Sequence, residues 1–215
     1  SFEGIKDPQG YGRIEYAYYL MAIAAGIRMS PCRLLEEGGR AHFMTRRFDR
    51  IGTCEKIHYA SLFGIRHLPY AAPGNHSHCY EDYFDVIDQL ELPINSKREA
   101  FARMCFNVLA YNRDDHVKNF GFLMDSDGHW DISPFFDVSY AHNTSFGAWT
   151  RNQQMSIHGK RENITTEDLL SCGRNCNVGT LPKLKSILAQ VTDAIQHWPD
   201  FSARAGVDPA KSKAI

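Results

Sequence analysis

The sequence lacks any apolar run near the ~18 residues needed to cross a bilayer, and its first residues carry neither the basic nor the apolar region of a signal peptide. No membrane association is expected, and the expected location is the cytoplasm. Charge of one sign is missing as well, since 24 Lys and Arg against 25 Asp and Glu leave a net charge of -1. No global field argues for wrapping nucleic acid or coating an anionic membrane, and no direct nucleic-acid binding is expected. Cysteine is sparse: Cys32, Cys54, Cys79, Cys105, Cys172 and Cys176 are scattered without a CxxC pair, which excludes a secreted disulfide scaffold and leaves reduced thiols. There is also no glycine-rich phosphate loop of the G-x-x-x-x-G-K-[ST] or G-x-G-x-x-G type, no internal repeat and no low-complexity linker.

What is there is a chain of 215 residues, long enough for one substantial domain or two small ones. "IEYAYYLMAIAAGI" spaces Ile14, Tyr18, Met21 and Ala25 as a buried helix and stops at Gly26, a C-terminal cap. "CRLLEEGGRAHFMTRRFDR" predicts strand, Gly-Gly turn, strand, and then a charged linker. "YEDYFDVIDQLEL" and "SKREAFARMCFNVLAY" predict amphipathic helices, the second opened by a capping box of Ser96 and Glu99. "NFGFLMDSDGHWDIS" alternates Phe120, Phe122 and Met124, turns at Asp-Ser-Asp-Gly and resumes with Trp130 and Ile132, a hairpin. "TTEDLLSCG" and "LPKLKSILAQVTDAIQHW" complete a helical C-terminal half, the latter with Leu184, Leu188, Val191 and Trp198 on one face. The expected fold class is α+β, mostly helical.

Between a buried helix and the hairpin lies "YNRDDHVKNFGF", which concentrates acids, a histidine, a lysine and an asparagine where a core should begin. The hairpin then delivers another acid, Asp137, in "DISPFFDVSY". Phosphoryl transfer from a nucleotide needs one carboxylate to orient or deprotonate the attacking hydroxyl, and oxygen ligands to hold magnesium against the phosphates. Asp114 and Asn119, four residues between them, followed by a hairpin and an Asp, reproduce the way kinase-like folds supply those groups. A lone D-x-x-x-x-N is a weak signal; the order helix, loop, hairpin, Asp is what gives it weight.

"HFMTRRFDR", "FNVLAYNRDDHVKNFGFLMD", "GHWDISPFFDVSYA" and "QQMSIHGK" together resemble the HipA family of serine/threonine kinase toxins of bacterial toxin–antitoxin modules, through nearly the whole chain. The resemblance implies an ATP-dependent protein kinase with a kinase-like large lobe, in a family with members that phosphorylate an aminoacyl-tRNA synthetase and pair with a HipB-like DNA-binding antitoxin. It implies Asp114 as catalytic base and Asn119 and Asp137 as ligands of Mg2+. His116 and Lys118 would lie near the phosphates of ATP. Arg46 and Phe48 would meet adenine through their backbones, with Asp49 on the ribose. Residues 1–45 would be a remnant of the small lobe, 46–50 the hinge and 51–215 the catalytic lobe. Relatives carry a phosphate-gripping lysine and a phosphate loop shortly before the helix that contains the match to Glu15, whereas this chain begins with "SFEGIKDP". The expectation is a truncated piece that binds magnesium-nucleotide weakly and has doubtful activity alone.

Each residue also has a plainer reading. Asp114 could cap the turn after the helix, Asp115 reads as a loop-stabilising acid or salt-bridge partner, His116 could pack the loop, and Lys118 could be a solvated strand-edge residue. "GNHSHCY" offers His76, His78 and Cys79 but reads as a solvated loop rather than a zinc site. Cys172 and Cys176 are explained by core packing at a helix end. "WTRNQQMSIHGKREN" is a candidate protein-substrate surface, with an ordinary surface loop as its rival. Two other functions stay open: a non-catalytic module that docks an antitoxin, and a small-molecule kinase of the aminoglycoside or choline type.

Overall fold

The computed structural model describes residues 10–52, 55–67, 78–143 and 149–215. "SFEGIKDP", Cys54 and His76 therefore lie outside the described residues. The first helix, α1 (Tyr11–Ala24), buries Ile14, Ala17, Tyr18, Met21 and Ala22. It closes as its spacing predicts: Gly26 takes φ 76°, its N–H bonds the Ile23 carbonyl, and Ile27 N–H reaches back to Ala22. That is a Schellman cap, which a residue without Cβ adopts at no steric cost. β1 (Cys32–Glu37) and β2 (Arg40–Thr45) pair antiparallel with Glu37 opposite Arg40. Gly38 and Gly39 between them both have positive φ, 57° and 75°, the pair of left-handed residues that a two-residue hairpin turn requires.

The segment expected to be a charged linker is instead β-structure. β3 (Arg50–Ile51) pairs with β4 (Glu55–Lys56), and β5 (His58–Ser61) joins the later hairpin β6 (Gly121–Met124) and β7 (Trp130–Ile132) in an antiparallel sheet of order β5-β6-β7. β5 was illegible because it is four residues long, with one residue exposed and three half-buried. The hairpin turn closes through the Asp125 carboxylate, which accepts the backbone N–H of Asp127 and of His129 at 2.9 Å each. α2 (Leu62–Ile65) follows β5 directly, and the remaining helices are α3 (Tyr80–Gln89), α4 (Ile94–Leu109), α5 (Thr166–Asn175), α6 (Leu181–Gln196), α7 (Trp198–Arg204) and α8 (Pro209–Ala214). All pairings between β1–β7 are antiparallel and the parallel contacts among the described residues are isolated bridges, so the large parallel sheet that would exclude a kinase-like fold is absent from them.

α4 is the central strut, with Ala100, Phe101, Met104, Cys105 and Phe106 all fully buried. Its start differs from expectation. The helix begins at Ile94 after Pro93, which puts Ser96 and Glu99 inside it. Ser96 Oγ donates to Asp131 at 3.0 Å, and Glu99 pairs with Arg103 and, at 3.5 Å, with Arg28, so both residues tie the helix sideways. Capping boxes open α3, between Cys79 and Asp82, and α5, where Thr165 Oγ1 accepts Asp168 N–H and Asp168 accepts Thr165 N–H at 2.8 Å. The last predicted helix is two, because the chain bends at His197 and Trp198 opens α7 with Pro199 behind it. Tyr18 joins α1 to this core: its ring meets Phe106 and Trp198 edge-on, and its hydroxyl donates to the Ala110 carbonyl at 2.5 Å. The five described cysteines are free thiols, with Cys105 and Cys172 packed in the core.

Gly121 is the tightest point of the small sheet. A Cβ there would lie 2.3 Å from Tyr59 Cε2, on the cross-strand neighbour β5. Gly121→Ala is expected to push Tyr59 aside and cost about 1–3 kcal/mol, the usual penalty of overpacking, read as a lowered midpoint in urea denaturation. Tyr59→Ala in the same background should recover part of the loss; no recovery would place the strain elsewhere.

Candidate active site

The loop after α4 is built from a chain of buried hydrogen bonds that begins inside the helix. Asn107 Nδ2 donates to Tyr80 Oη at 3.1 Å, Tyr80 Oη donates to Asp115 Oδ2 at 2.6 Å, and Asn112 Nδ2 donates to Asn107 Oδ1 at 2.8 Å. Asp115 also accepts Gln154 N–H at 2.6 Å and Gln153 Nε2 at 3.2 Å. It is 1% exposed, and burial outweighs those donors, pushing its pKa up to about 7. Of the two plain readings, loop stabilisation is the one this geometry bears out: all three donors to Asp115 are neutral. The site has thus separated two adjacent acids, one turned into the core and one turned out.

Asp114 is the outward one. Its Oδ1 accepts the indole N–H of Trp149 at 3.0 Å, with His116 Nε2 3.9 Å away. Asn119 Nδ2 donates to the Asp114 carbonyl at 3.0 Å, sending the amide oxygen the other way. A cavity of about 340 Å³ opens here, walled by Phe63, His78, Asp114, His116, Lys118 and Trp149. Lys118 is exposed, and its Nζ sits 5.3 Å from the centre of the Phe63 ring. His78 and His116 each bury an Nδ1 that has no hydrogen-bond partner. His78 is 9% exposed, and its carbonyl accepts Ser156 N–H at 3.0 Å, which corrects the expectation of a solvated loop at that end of "GNHSHCY".

A second cavity, about 380 Å³, holds the other group of expected residues: Arg46, Phe48, Asp49 and Asp137, with Glu15, Tyr59 and Phe136 around them. The Phe48 ring packs on Tyr59 at 5.8 Å and on Phe136 at 5.3 Å between centroids, an apolar slot for a flat ring. Arg46 N–H is already bonded to the Pro31 carbonyl at 3.0 Å, so its carbonyl is the backbone atom left for a ligand. Asp49 is gripped by Arg47 at 2.8 and 2.6 Å and by Arg50 at 3.2 Å, and the Arg47 bonds, with both cations, hold its carboxyl below the usual range. A ribose hydroxyl would share that carboxylate with two arginines.

Asp137 stands at φ 56°, a left-handed conformation uncommon for a residue with a Cβ and found where surrounding structure fixes it. The fixing contacts lie on both sides. Phe135 N–H bonds the Arg28 carbonyl at 2.8 Å, while Arg113 N–H to Ala141 O and Ala141 N–H to Tyr111 O, both 3.1 Å, lace the stretch after Asp137 to the start of the Asp114 loop. Glu15, on α1, has its pKa pushed up to about 7, mainly by burial and then by the negative charge of Asp137. The exposed Asp137 carboxylate, which repels this second acid, is a hard oxygen donor, while Asn119 does not line the cavity that holds it. Magnesium fits that chemistry.

The structure thus gathers Arg46, Phe48, Asp49 and Asp137 in one cavity and Asp114, His116 and Lys118 in another. Tyr59 stands at the border, its hydroxyl 3.4 Å from the Lys118 carbonyl. Asn119 lines neither and reaches back to Asp114. Tyr59, Phe136 and Trp149 were missed, because an aromatic in a four-residue strand or a polar loop carries no periodic signal. "WTRNQQMSIHGKREN" is no ordinary surface loop either: Gln153 to Ile157 are buried, held by Asp115 and by the α3 end of the chain.

Residues 2–198 match the family model of the HipA-like C-terminal domain. Among curated relatives, "Putative kinase" of Haemophilus influenzae is 27% identical over 101 residues, covering 44% of this chain and 29% of that protein. "Putative kinase Y4mE" of Sinorhizobium fredii is 25% identical over 138 residues, covering 59% of this chain and 32% of its own length. The chain therefore spans about a third of the curated relatives it matches. Among solved structures, HipA in the Shewanella oneidensis complex of HipA, HipB and operator DNA superposes with TM-score 0.73 at 16% identity, over 94% of this chain and 52% of that one. The Helicobacter pylori proinflammatory kinase CtkA gives TM-score 0.56 at 15% identity, over 92% of this chain and 88% of that one. The α+β, mostly helical architecture is thus the HipA-type kinase fold, and the chain belongs to the HipA-like C-terminal domain family.

Proposed function

We propose that the chain carries the catalytic lobe of an ATP-dependent serine/threonine protein kinase of the HipA toxin type, moving the γ-phosphoryl group of ATP to a protein hydroxyl. The observation that carries this reading is the lacing of the two acid-bearing segments. Hydrogen bonds between Tyr111–Arg113 and Ala141 tie the loop of Asp114 to the stretch that follows Asp137. In this reading residues 1–45 are the small lobe's remnant, 46–50 the hinge and 51–215 the catalytic lobe. The adenine ring enters the slot of Phe48, Tyr59 and Phe136 along the Arg46–Phe48 backbone, with Asp49 at the ribose. His116 and Lys118 face the phosphates.

Asp114 does the proton work. With Oδ1 held by Trp149, its other oxygen accepts the hydrogen of the acceptor hydroxyl and takes that proton as the oxygen attacks phosphorus. Asn119 and Asp137 would hold the magnesium ion, which supplies charge neutralisation at the phosphates. The HipB of the Shewanella complex makes a HipB-like antitoxin the natural partner to seek, and an aminoacyl-tRNA synthetase is the first protein substrate to try.

The test is calorimetric titration of the protein as encoded with ATP, with and without magnesium. Asp137→Asn is expected to weaken magnesium-dependent ATP binding about 10-fold or more, while leaving magnesium-free binding unchanged. An Asp137→Asn protein that binds magnesium-ATP like the parent would sink the metal assignment.

A further inference from the structure

Asp114 and Asp115 are linked by a second route besides the peptide bond between them. Asp115, in the core, accepts the backbone N–H of Gln154 at 2.6 Å. The side chain of the same Gln154 donates through Nε2 to the Trp149 carbonyl at 2.6 Å, and also to Asn152 O at 3.1 Å and Arg113 O at 3.3 Å. Trp149 then returns its indole N–H to Asp114 Oδ1 at 3.0 Å. The circuit closes through the peptide bond that joins Asp114 to Asp115, and its links from Asp115 to Gln154, Gln154 to Trp149 and Trp149 to Asp114 are hydrogen bonds of 3.0 Å or less.

The circuit matters because of what it leaves exposed. Trp149 is 54% exposed, an unusual place for the largest apolar side chain unless its polar edge is in use. The indole nitrogen can only donate, so it cannot take up the proton that Asp114 removes from a hydroxyl. It does fix one carboxylate oxygen, and with it the rotation of the carboxyl group, leaving the other oxygen to meet the acceptor. Asp114 itself is half-exposed, with the Trp149 indole nitrogen at 3.0 Å and the His116 ring at 3.9 Å from its Oδ1.

We propose that Trp149 is a positioning residue for Asp114: its indole N–H sets the carboxylate for proton abstraction, and buried Asp115 holds Trp149 in place through Gln154. The proposal rests on the reading of Asp114 as general base. It predicts that losing the N–H, rather than the ring, slows the chemical step. Two changes separate these contributions. Trp149→Phe keeps an aromatic ring, and site-specific replacement of Trp149 by β-(3-benzothienyl)alanine keeps the shape while exchanging N–H for sulfur.

Autophosphorylation and transfer from labelled magnesium-ATP to myelin basic protein, used as a generic acceptor, give kcat and the KM for ATP. Indole Nε1–H resonances report the contact independently, since Asp114→Ala should move the Trp149 signal and leave those of Trp130 and Trp198 in place. Both Trp149 replacements are expected to lower kcat on the order of 10-fold to 100-fold at unchanged KM for ATP, the scale of a small misplacement of a reacting group. Full activity of the benzothienyl protein would overturn the proposal, as would faster transfer by both variants, which would make the contact a lock rather than a guide. An Asp114→Ala protein with an unmoved Trp149 resonance would overturn it too. If the Trp149 variants behave as expected while Asp114→Asn retains full transfer, the base assignment falls instead; if the parent protein transfers nothing to any acceptor, it is the kinase reading that fails.

Discussion

Replacing Asp114 by Asn is expected to lower phosphoryl transfer by ~10²–10⁴-fold, the loss typical of removing a general base, with affinity for magnesium-ATP nearly intact. The geometry is why the two readouts separate. Asp114 lines the cavity with His116, Lys118 and Trp149, while the aromatic slot of Phe48, Tyr59 and Phe136 belongs to the other cavity with Asp137. An amide at position 114 still offers an oxygen to the Trp149 N–H, so the loop keeps its shape, but it cannot accept the hydroxyl proton. Labelled-phosphate transfer beside calorimetric titration distinguishes this from a folding defect. Should Asp115→Asn abolish transfer at intact fold while Asp114→Asn does not, the register of the family motif on "RDDHVKN" would be off by one and the base would be Asp115.

How much of this was legible follows from where each signal is stored. Helices α1, α3, α4, α5 and α6 were readable because each buries a face at helical spacing over ten residues or more. Hairpins β1–β2 and β6–β7 were readable because Gly-Gly and Asp-Ser-Asp-Gly are turn chemistry. The start of α4 was misjudged because Ser96-x-x-Glu99 satisfies the capping-box pattern while its side chains are used for tertiary bonds to Asp131, Arg28 and Arg103. Asp114, Asn119 and Asp137 stand out in the sequence because a motif holds them at fixed spacing. Trp149 does not, since its partner is 35 positions away and the contact depends on how Gln154 is pinned by Asp115. Pairings set by tertiary packing leave no local trace.

Asp115→Ala is expected to be the most destabilising single change in the loop, roughly 3–5 kcal/mol by urea denaturation. It would strand three buried donors, Tyr80 Oη, Gln154 N–H and Gln153 Nε2, at about 1–3 kcal/mol each before relaxation. Asp115→Asn is the subtler probe, because pH decides its cost. The folded pKa of Asp115 is raised from 3.8 to about 7, so between these values the folded state keeps a proton that the unfolded state releases. That contribution to stability is complete below pH ~4 and lost as pH rises to about 7, beyond which the site holds an ionised, buried carboxylate. Asn imitates the protonated form at every pH. Its deficit against the parent should therefore be largest at pH ~4 and below, on the order of 1–3 kcal/mol for one mispaired donor, and should shrink by pH 8. Glu15, raised from 4.5 to about 7, drives the same trend in the parent and persists in this variant, so Glu15→Gln must be measured beside it. Tyr80 and Arg161, the titratable neighbours of Asp115, keep their charge between pH 5 and 8. A deficit that grew towards pH 8 would mean that the three donors stabilise the ionised carboxylate more than burial penalises it, and Asp115 would then be an anionic anchor for Gln154 and the Trp149 turn.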